Sequence, residues 1–215
     1  RETFAPLMHE PDVEAFWWPR FEQLAPQIVE WERERRQGVA RIGAELRVSH
    51  AFRLDDGAEV TLHARADRVE ARTDGRLAVL DFKSGSPPSV AQIKAGLAPQ
   101  LPLEAALAAR AAYKPVKGPG EPIGPGDVAE AAFVQLRPGQ GALKLSLVAP
   151  PGELGALAEE HLDGFRAVTA DLRAGRRSFT SRFAAQFMRF DGDYDHLARV
   201  KEWSAAGQDS DEGPS

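Results

Sequence analysis

The 215-residue chain has no cysteine, which excludes a disulfide framework and any thiolate-bound metal. No apolar run approaches the ~20 residues of a membrane-spanning helix, and no charged-then-apolar opening reads as a signal peptide. The five histidines show none of the spacings, such as H-E-x-x-H, that place two imidazoles on one ion. No internal repeat is visible. An excess of basic charge is missing as well: the formal net charge is −5, so the chain as a whole does not advertise a polyanion partner. Only a local basic path to a phosphate backbone is compatible with that sign. Together these absences suit a cytoplasmic protein. The opening at Arg1, without a methionine, suggests a piece of something longer.

What is present is ordinary for a globular fold: 43% hydrophobic and 27% charged residues, enough for a sizeable core. One domain is expected over residues 1–203, followed by a disordered tail over 204–215, S-A-A-G-Q-D-S-D-E-G-P-S. Residues 1–37 form an N-terminal helical segment. Phe16, Trp17, Phe21, Leu24, Ile28 and Trp31 recur at helical spacing there, and Pro19 and Pro26 are expected to break or kink it into two pieces. Its aromatics read as a packed face more readily than as a base-stacking platform.

Three strands are then expected, over 45–54, 59–71 and 76–83, joined by turns at Asp55-Asp56-Gly57 and Asp74-Gly75 into an antiparallel meander. Ser89 is placed to cap a helix over 90–97, and Pro99 separates it from a second over 100–112. Residues 114–127 hold four prolines and four glycines and read as a flexible loop. Two more strands are expected over 131–137 and 142–148, a helix over 151–174, and a short closing helix over 193–203. The fold class is therefore α+β, an α/β/α arrangement with helices on a mixed sheet of about five strands.

The stretch from Ala64 to Leu107 organises the rest. It reads A-R-A-D-R-V-E, a turn, L-A-V-L-D-F-K-S-G, and then a helix carrying P-Q-L-P-L-E-A-A-L. Strand alternation puts Asp81 and Lys83 on one face and turns Phe82 to the other. Asp67, across the turn, is placed to meet Asp81 at the sheet edge. Two carboxylates beside an ammonium make a hard-cation site with a charge ready for an oxyanion. A D-x-K on a strand is common, and a strand-end ion pair is its bland reading. The ordered set of aspartate, D-x-K and Q-L favours the metal site.

The A-D-R of Ala66–Arg68, the L-D-F-K-S-G of Leu80–Gly85 and the Q-L of Gln100-Leu101 resemble the core of the PD-(D/E)xK nucleases. Within that superfamily they look most like RecB-type exonuclease domains, above all the C-terminal nuclease domains of AddB-type helicase–nuclease subunits. The resemblance implies a restriction-endonuclease-like core and an Mg2+-dependent DNA exonuclease, with Mn2+ able to substitute. It also implies work beside an AddA-like helicase–nuclease partner subunit in double-strand break repair and recombination. The implied metal ligands are Asp67, Asp81 and the backbone carbonyl of Phe82. Lys83 would orient the attacking water or stabilise charge on the phosphate. Gln100 would hold the site together or touch DNA.

Further residues carry two readings each. Arg65 and Arg68 read as ion-pair partners of Glu70 or Asp81, or as phosphate contacts. Glu45 reads as an approach to the site from the neighbouring strand, or as a solvated edge charge. Ser84 shapes the turn after the catalytic strand. Glu104, one helical turn after Gln100, shares its face and stands behind the site. The basic run Arg173, Arg176, Arg177 and Arg182 reads as a DNA path or as a complement to a helix C-terminus.

The sequence also departs from the family. No residue matches the additional histidine or glutamate ligand that RecB-type nucleases carry on an upstream helix. Glu104 stands where the Q-L helix often has tyrosine. Without cysteine, the iron–sulfur clamp of some AddB-type domains is not expected, and Phe179, Phe183, Phe187, Phe190 and Trp203 are expected to close the domain. These departures keep open a second class of function: a catalytically silent docking or DNA-guiding module that retains the nuclease fold.

Overall fold

The computed structural model describes residues 12–116, 120–137 and 143–178. The chain divides into two compact units, residues 1–170 and 171–215. The expected closing helix, the aromatic closure and the tail all lie outside the described residues, as do residues 1–11.

In the first unit, a π-helical turn over Val13–Trp17 runs into α1, Trp18–Arg35. Of the expected break or kink, a break is absent: α1 runs on through Pro26. Pro19 sits in the first turn, where its missing N–H is no loss. Pro26 lies inside the helix but on its exposed side, so water can satisfy the carbonyl of Glu22 that loses its donor.

A long hairpin follows, β1 over Val39–Arg53 and β2 over Glu59–Arg72, and then β3 over Leu77–Lys83. Helix α2, Val90–Lys94, starts from a reciprocal capping box between Ser89 and Gln92 and stops before Gly96, whose φ of 74° ends the helix. Helix α3 covers Gln100–Ala108. Strand β5, Val128–Gln135, β6, Lys144–Leu147, and α4, Leu154–Arg173, complete the expected order. The loop after α3 contributes one more strand, the two-residue β4 at Lys114–Pro115.

The sheet is six-stranded and mixed, in the order β4-β1-β2-β3-β5-β6. All neighbours are antiparallel except β3 and β5, which run parallel in register Asp81↔Phe133 and Lys83↔Gln135. A parallel neighbour requires a crossover, here built from α2 and α3.

Each face of the sheet has its own core. On one, Leu77 and Val79 of β3 pack with Leu101, Ala105 and Ala108 of α3 and with Leu154, Leu157 and Leu162 of α4. On the other, Leu80 and Phe82 pack with Leu24, Ile28 and Trp31 of α1. This two-sided cover, α1 on one face and α2 to α4 on the other, is the expected α/β/α arrangement.

One irregularity positions the site. Core-facing residues of β2 run Leu62, Ala64 and Ala66, then change parity to Val69 and Ala71. On β1 they run Phe52, Val48 and Leu46, and then Gly43, where an added Cβ would run into Leu46 and stand 3.1 Å from Ile123 Cδ1. Between the pairs Leu46↔Ala66 and Ala44↔Arg68, Glu45 and Asp67 drop out of the ladder. Each strand therefore carries one extra residue at the same level. The register stays in step while the facing side chains flip, as at a bulge. Glu45 takes φ 55°, the one non-glycine in the left-handed region among the described residues.

Candidate active site

The site forms where β2 and β3 part. Their ladder ends at Arg68↔Leu80, and continuing it one step would set Asp67 opposite Asp81. Asp67 is the extra residue on β2, and its carboxylate turns toward β3. There Oδ2 accepts the backbone N–H of Phe82 at 2.9 Å. The bulge thus re-aims a side chain that would otherwise stand on the pleat.

Asp81 is buried, 3% exposed, on the α3 side of the sheet. Its Oδ1 accepts Gln100 Nε2 at 2.8 Å, and its Oδ2 lies 2.8 Å from Lys83 Nζ. The ammonium approaches at a poor hydrogen-bonding angle, so Oδ2 has charge contact but no aligned donor. Lys83 is one-third exposed along its side chain and hangs over the Phe133 ring, 5.8 Å from its centroid. Its ammonium is thus held between a carboxylate and a ring on a side chain that is still partly open to solvent.

Gln100 opens α3, and Glu104 follows one turn later. Gln100 Nε2 is shared, 3.2 Å from Glu104 Oε1. Glu104 is 3% exposed, and its Oε2 is buried without a hydrogen-bond partner. Burial pushes this carboxyl up to about 8; Gln100 and Lys83 work against the rise, and the nearby charges of Asp81 and Asp67 add to it. Tyr113 donates its hydroxyl to the Glu104 backbone carbonyl at 3.1 Å, midway along α3.

Asp67, Asp81, Lys83, Gln100 and Glu104 are thereby brought to one place. Phe82 contributes its N–H to Asp67, while its ring meets Trp31 edge-on at 6.3 Å. Ser84 is exposed on the following turn, which is pinned by Gln135 Nε2 donating to the Gly85 carbonyl at 2.8 Å. Gln135 escaped the sequence reading because only the parallel pairing of β5 with β3 brings it there.

The two arginines beside Asp67 separate. Arg68 is buried under α1 and engaged by Glu70 and Glu32. Arg65 is half exposed and paired with Glu45. At the end of α4 and just beyond it, Arg173 and Arg177 both have partners and Arg176 pairs with Asp171 at 2.8 Å; Arg182 lies outside the described residues.

The donor set fits a hard cation. Every candidate atom is oxygen, and two buried carboxylate oxygens, Asp81 Oδ2 and Glu104 Oε2, lack a hydrogen-bond partner. Among the described residues no three carboxylate or imidazole side chains converge on one point. Any divalent ion held there would have few protein side chains as ligands.

Comparison with known proteins agrees with this chemistry. The family model described as the PD-(D/E)XK nuclease superfamily matches residues 6–199. No curated protein matches. Among solved structures, the crystal structure of SSO0001 aligns at 13% identity, covering 78% of this chain and 69% of that one, with a TM-score of 0.36. Among the described residues no helix is long and apolar enough to cross a membrane.

Proposed function

We propose that this chain, which belongs to the PD-(D/E)XK nuclease superfamily, is an Mg2+-dependent DNA exonuclease domain of the RecB type, most like the AddB C-terminal nuclease domain. Members of the superfamily are generally metal-dependent nucleases. The finer assignment to exonuclease work beside an AddA-like helicase subunit in double-strand break repair and recombination rests on the A-D-R, L-D-F-K-S-G and Q-L motifs and their spacing. The nuclease domain is assigned to residues 1–203, supported by a family match over 6–199.

The observation that carries the reading is the Asp81–Lys83–Gln100 cluster beside Asp67. A buried carboxylate is held by an amide on one oxygen and an ammonium on the other, with a second carboxylate tied to the adjoining peptide. Asp67 and Asp81, with the Phe82 carbonyl, would hold Mg2+, and Mn2+ would substitute. The ion would supply charge neutralisation at the scissile phosphate and a more acidic water. Lys83, partly exposed, stabilises charge that develops on the phosphate oxygens. Gln100 fixes the rotamer of Asp81. Phe82, through its N–H, fixes that of Asp67.

Asp81→Ala and Lys83→Ala are each expected to lower Mg2+-dependent degradation of labelled single- and double-stranded DNA by about 10² or more, with the circular dichroism spectrum unchanged. Equal degradation by wild type and both variants sinks the assignment. The second reading, a silent docking or DNA-guiding module, is favoured by the Lys83–Asp81 contact, which already gives Asp81 a cation. It predicts DNA binding without metal-dependent hydrolysis in any of the three proteins.

A further inference from the structure

The outer surface of the β1–β2 hairpin carries an arrangement that folding alone does not favour. Arg47 of β1 lies directly opposite Arg65 of β2 on one side and Lys114 of β4 on the other. Alternation with buried Leu46, Val48 and Ala66 and partly buried Ala64 puts Arg47 and Arg65 together on the face away from α3 and α4. Three cations thus stand in one row across three adjacent strands. Like charges directly opposite on a sheet repel. Glu45 compensates Arg65; among the described residues Arg47 and Lys114 have no ion-pair partner. The row is part of the wall of a groove of about 760 Å3, to which Ser49, His63 and Ala112 also contribute.

A repulsive row on an acidic protein calls for an anionic ligand, and its place says which. Arg65 is two residues from Asp67 on the same strand, roughly 7 Å along it, on the opposite face of the sheet from Asp81 and Lys83. The row crosses the sheet from there over roughly 10 Å, at about 4.8 Å per strand. A nucleic-acid strand carries a charge at every nucleotide, so a row of that length meets more than one phosphate.

We infer that Arg65, Arg47 and Lys114 form a phosphodiester-backbone contact on the outer face of the hairpin, which holds a nucleic-acid strand beside the sheet edge where β2 and β3 part. The contact takes phosphates and not bases, because the row presents charge with no aromatic ring among its three members. The inference rests on the nuclease reading for the class of its ligand, but binding at the row needs no hydrolysis.

The test is fluorescence anisotropy of a labelled single-stranded oligonucleotide with EDTA present, on wild type, Arg47→Ala/Lys114→Ala and Arg47→Lys. The double variant is expected to bind about tenfold or more weakly at low salt. Its plot of log affinity against log salt is expected to be shallower by about one to two. Its Tm is expected to hold or rise, since removing the repulsion relieves the sheet. Arg47→Lys keeps most of the affinity. Unchanged affinity and slope in the double variant overturn the contact, and so does a lower Tm with affinity intact, which would make the row structural. A chain whose Asp81→Ala variant degrades DNA undiminished sinks the nuclease reading instead, and the anisotropy series separates the two failures.

Discussion

Glu104 is the residue whose chemistry departs furthest from its ordinary behaviour. Its carboxyl is pushed up to about 8, first by burial and then by Asp81 and Asp67. Between pH 4.5 and 8 the folded chain therefore keeps a proton that the unfolded chain has lost. Stability falls as pH rises through that window. The full span corresponds to on the order of a few kcal/mol. In EDTA, the Tm of the wild type is expected to drop between pH 5 and 8, and that of Glu104→Gln to stay flatter, because the amide cannot ionise but still accepts from Gln100. Parallel profiles for the two proteins would remove Glu104 as the cause. The sequence placed Glu104 on the Gln100 face from helical spacing alone. Its burial could not be read, since that depends on Leu101, Ala105 and Tyr113 packing α3 onto the sheet.

At the scale of elements, α1 is clamped to the sheet by charge. Glu70, fully buried, accepts both Arg35 Nε, at 2.9 Å to each oxygen, and Arg68 Nε at 2.7 Å. Arg35 also reaches Glu130 of β5 at 2.9 Å, and both guanidiniums lie over Trp31, 5.4 and 5.3 Å from its ring. A network of this kind adds little net stability but is costly to break, because each remaining charge is left without water. Glu70→Ala is expected to lose about 3–5 kcal/mol, measured by urea unfolding. A loss under 1 kcal/mol would show that water enters and that α1 is held by Leu24, Ile28 and Trp31 alone. The hairpins were legible because Asp-Gly turns centre them: a turn centred on Asp56 sets Arg47 against Arg65, and one at Asp74 sets Asp67 toward Asp81. The charged end of α1, E-W-E-R-E-R-R, reads as solvated because nothing local says that Arg35 will meet a strand 35 residues later. Pro26 leaves α1 unbroken for the related reason that a proline's cost depends on which side of the helix meets water. Lys114 entered the sheet from a proline- and glycine-rich loop, where no periodicity marks a strand.

For the whole molecule, the sign of the charge sets the problem. A chain of net charge −5 is proposed to draw a polyanion toward a cluster of carboxylates. The Arg47 row offers attraction on the outer face of the hairpin, but Asp67 and Asp81 repel a phosphate at the site itself. A divalent ion reverses the sign there, so ion and nucleic acid are expected to bind with mutual support, each raising the other's affinity by the same factor. The ion alone stabilises the folded state by mass action, about 1.4 kcal/mol for each tenfold rise above its dissociation constant. Wild-type Tm is therefore expected to climb steadily with Mg2+ at fixed ionic strength, and the climb to vanish in Asp81→Ala. The same titration with a labelled oligonucleotide and Ca2+ in place of Mg2+ should lower its Kd in the wild type and leave that of Asp81→Ala unmoved. A Tm indifferent to Mg2+ in the wild type, or rising equally in the variant, would place the ion elsewhere. Asp81 would then be held by Gln100 and Lys83 alone, and the silent DNA-guiding reading would be the one left standing.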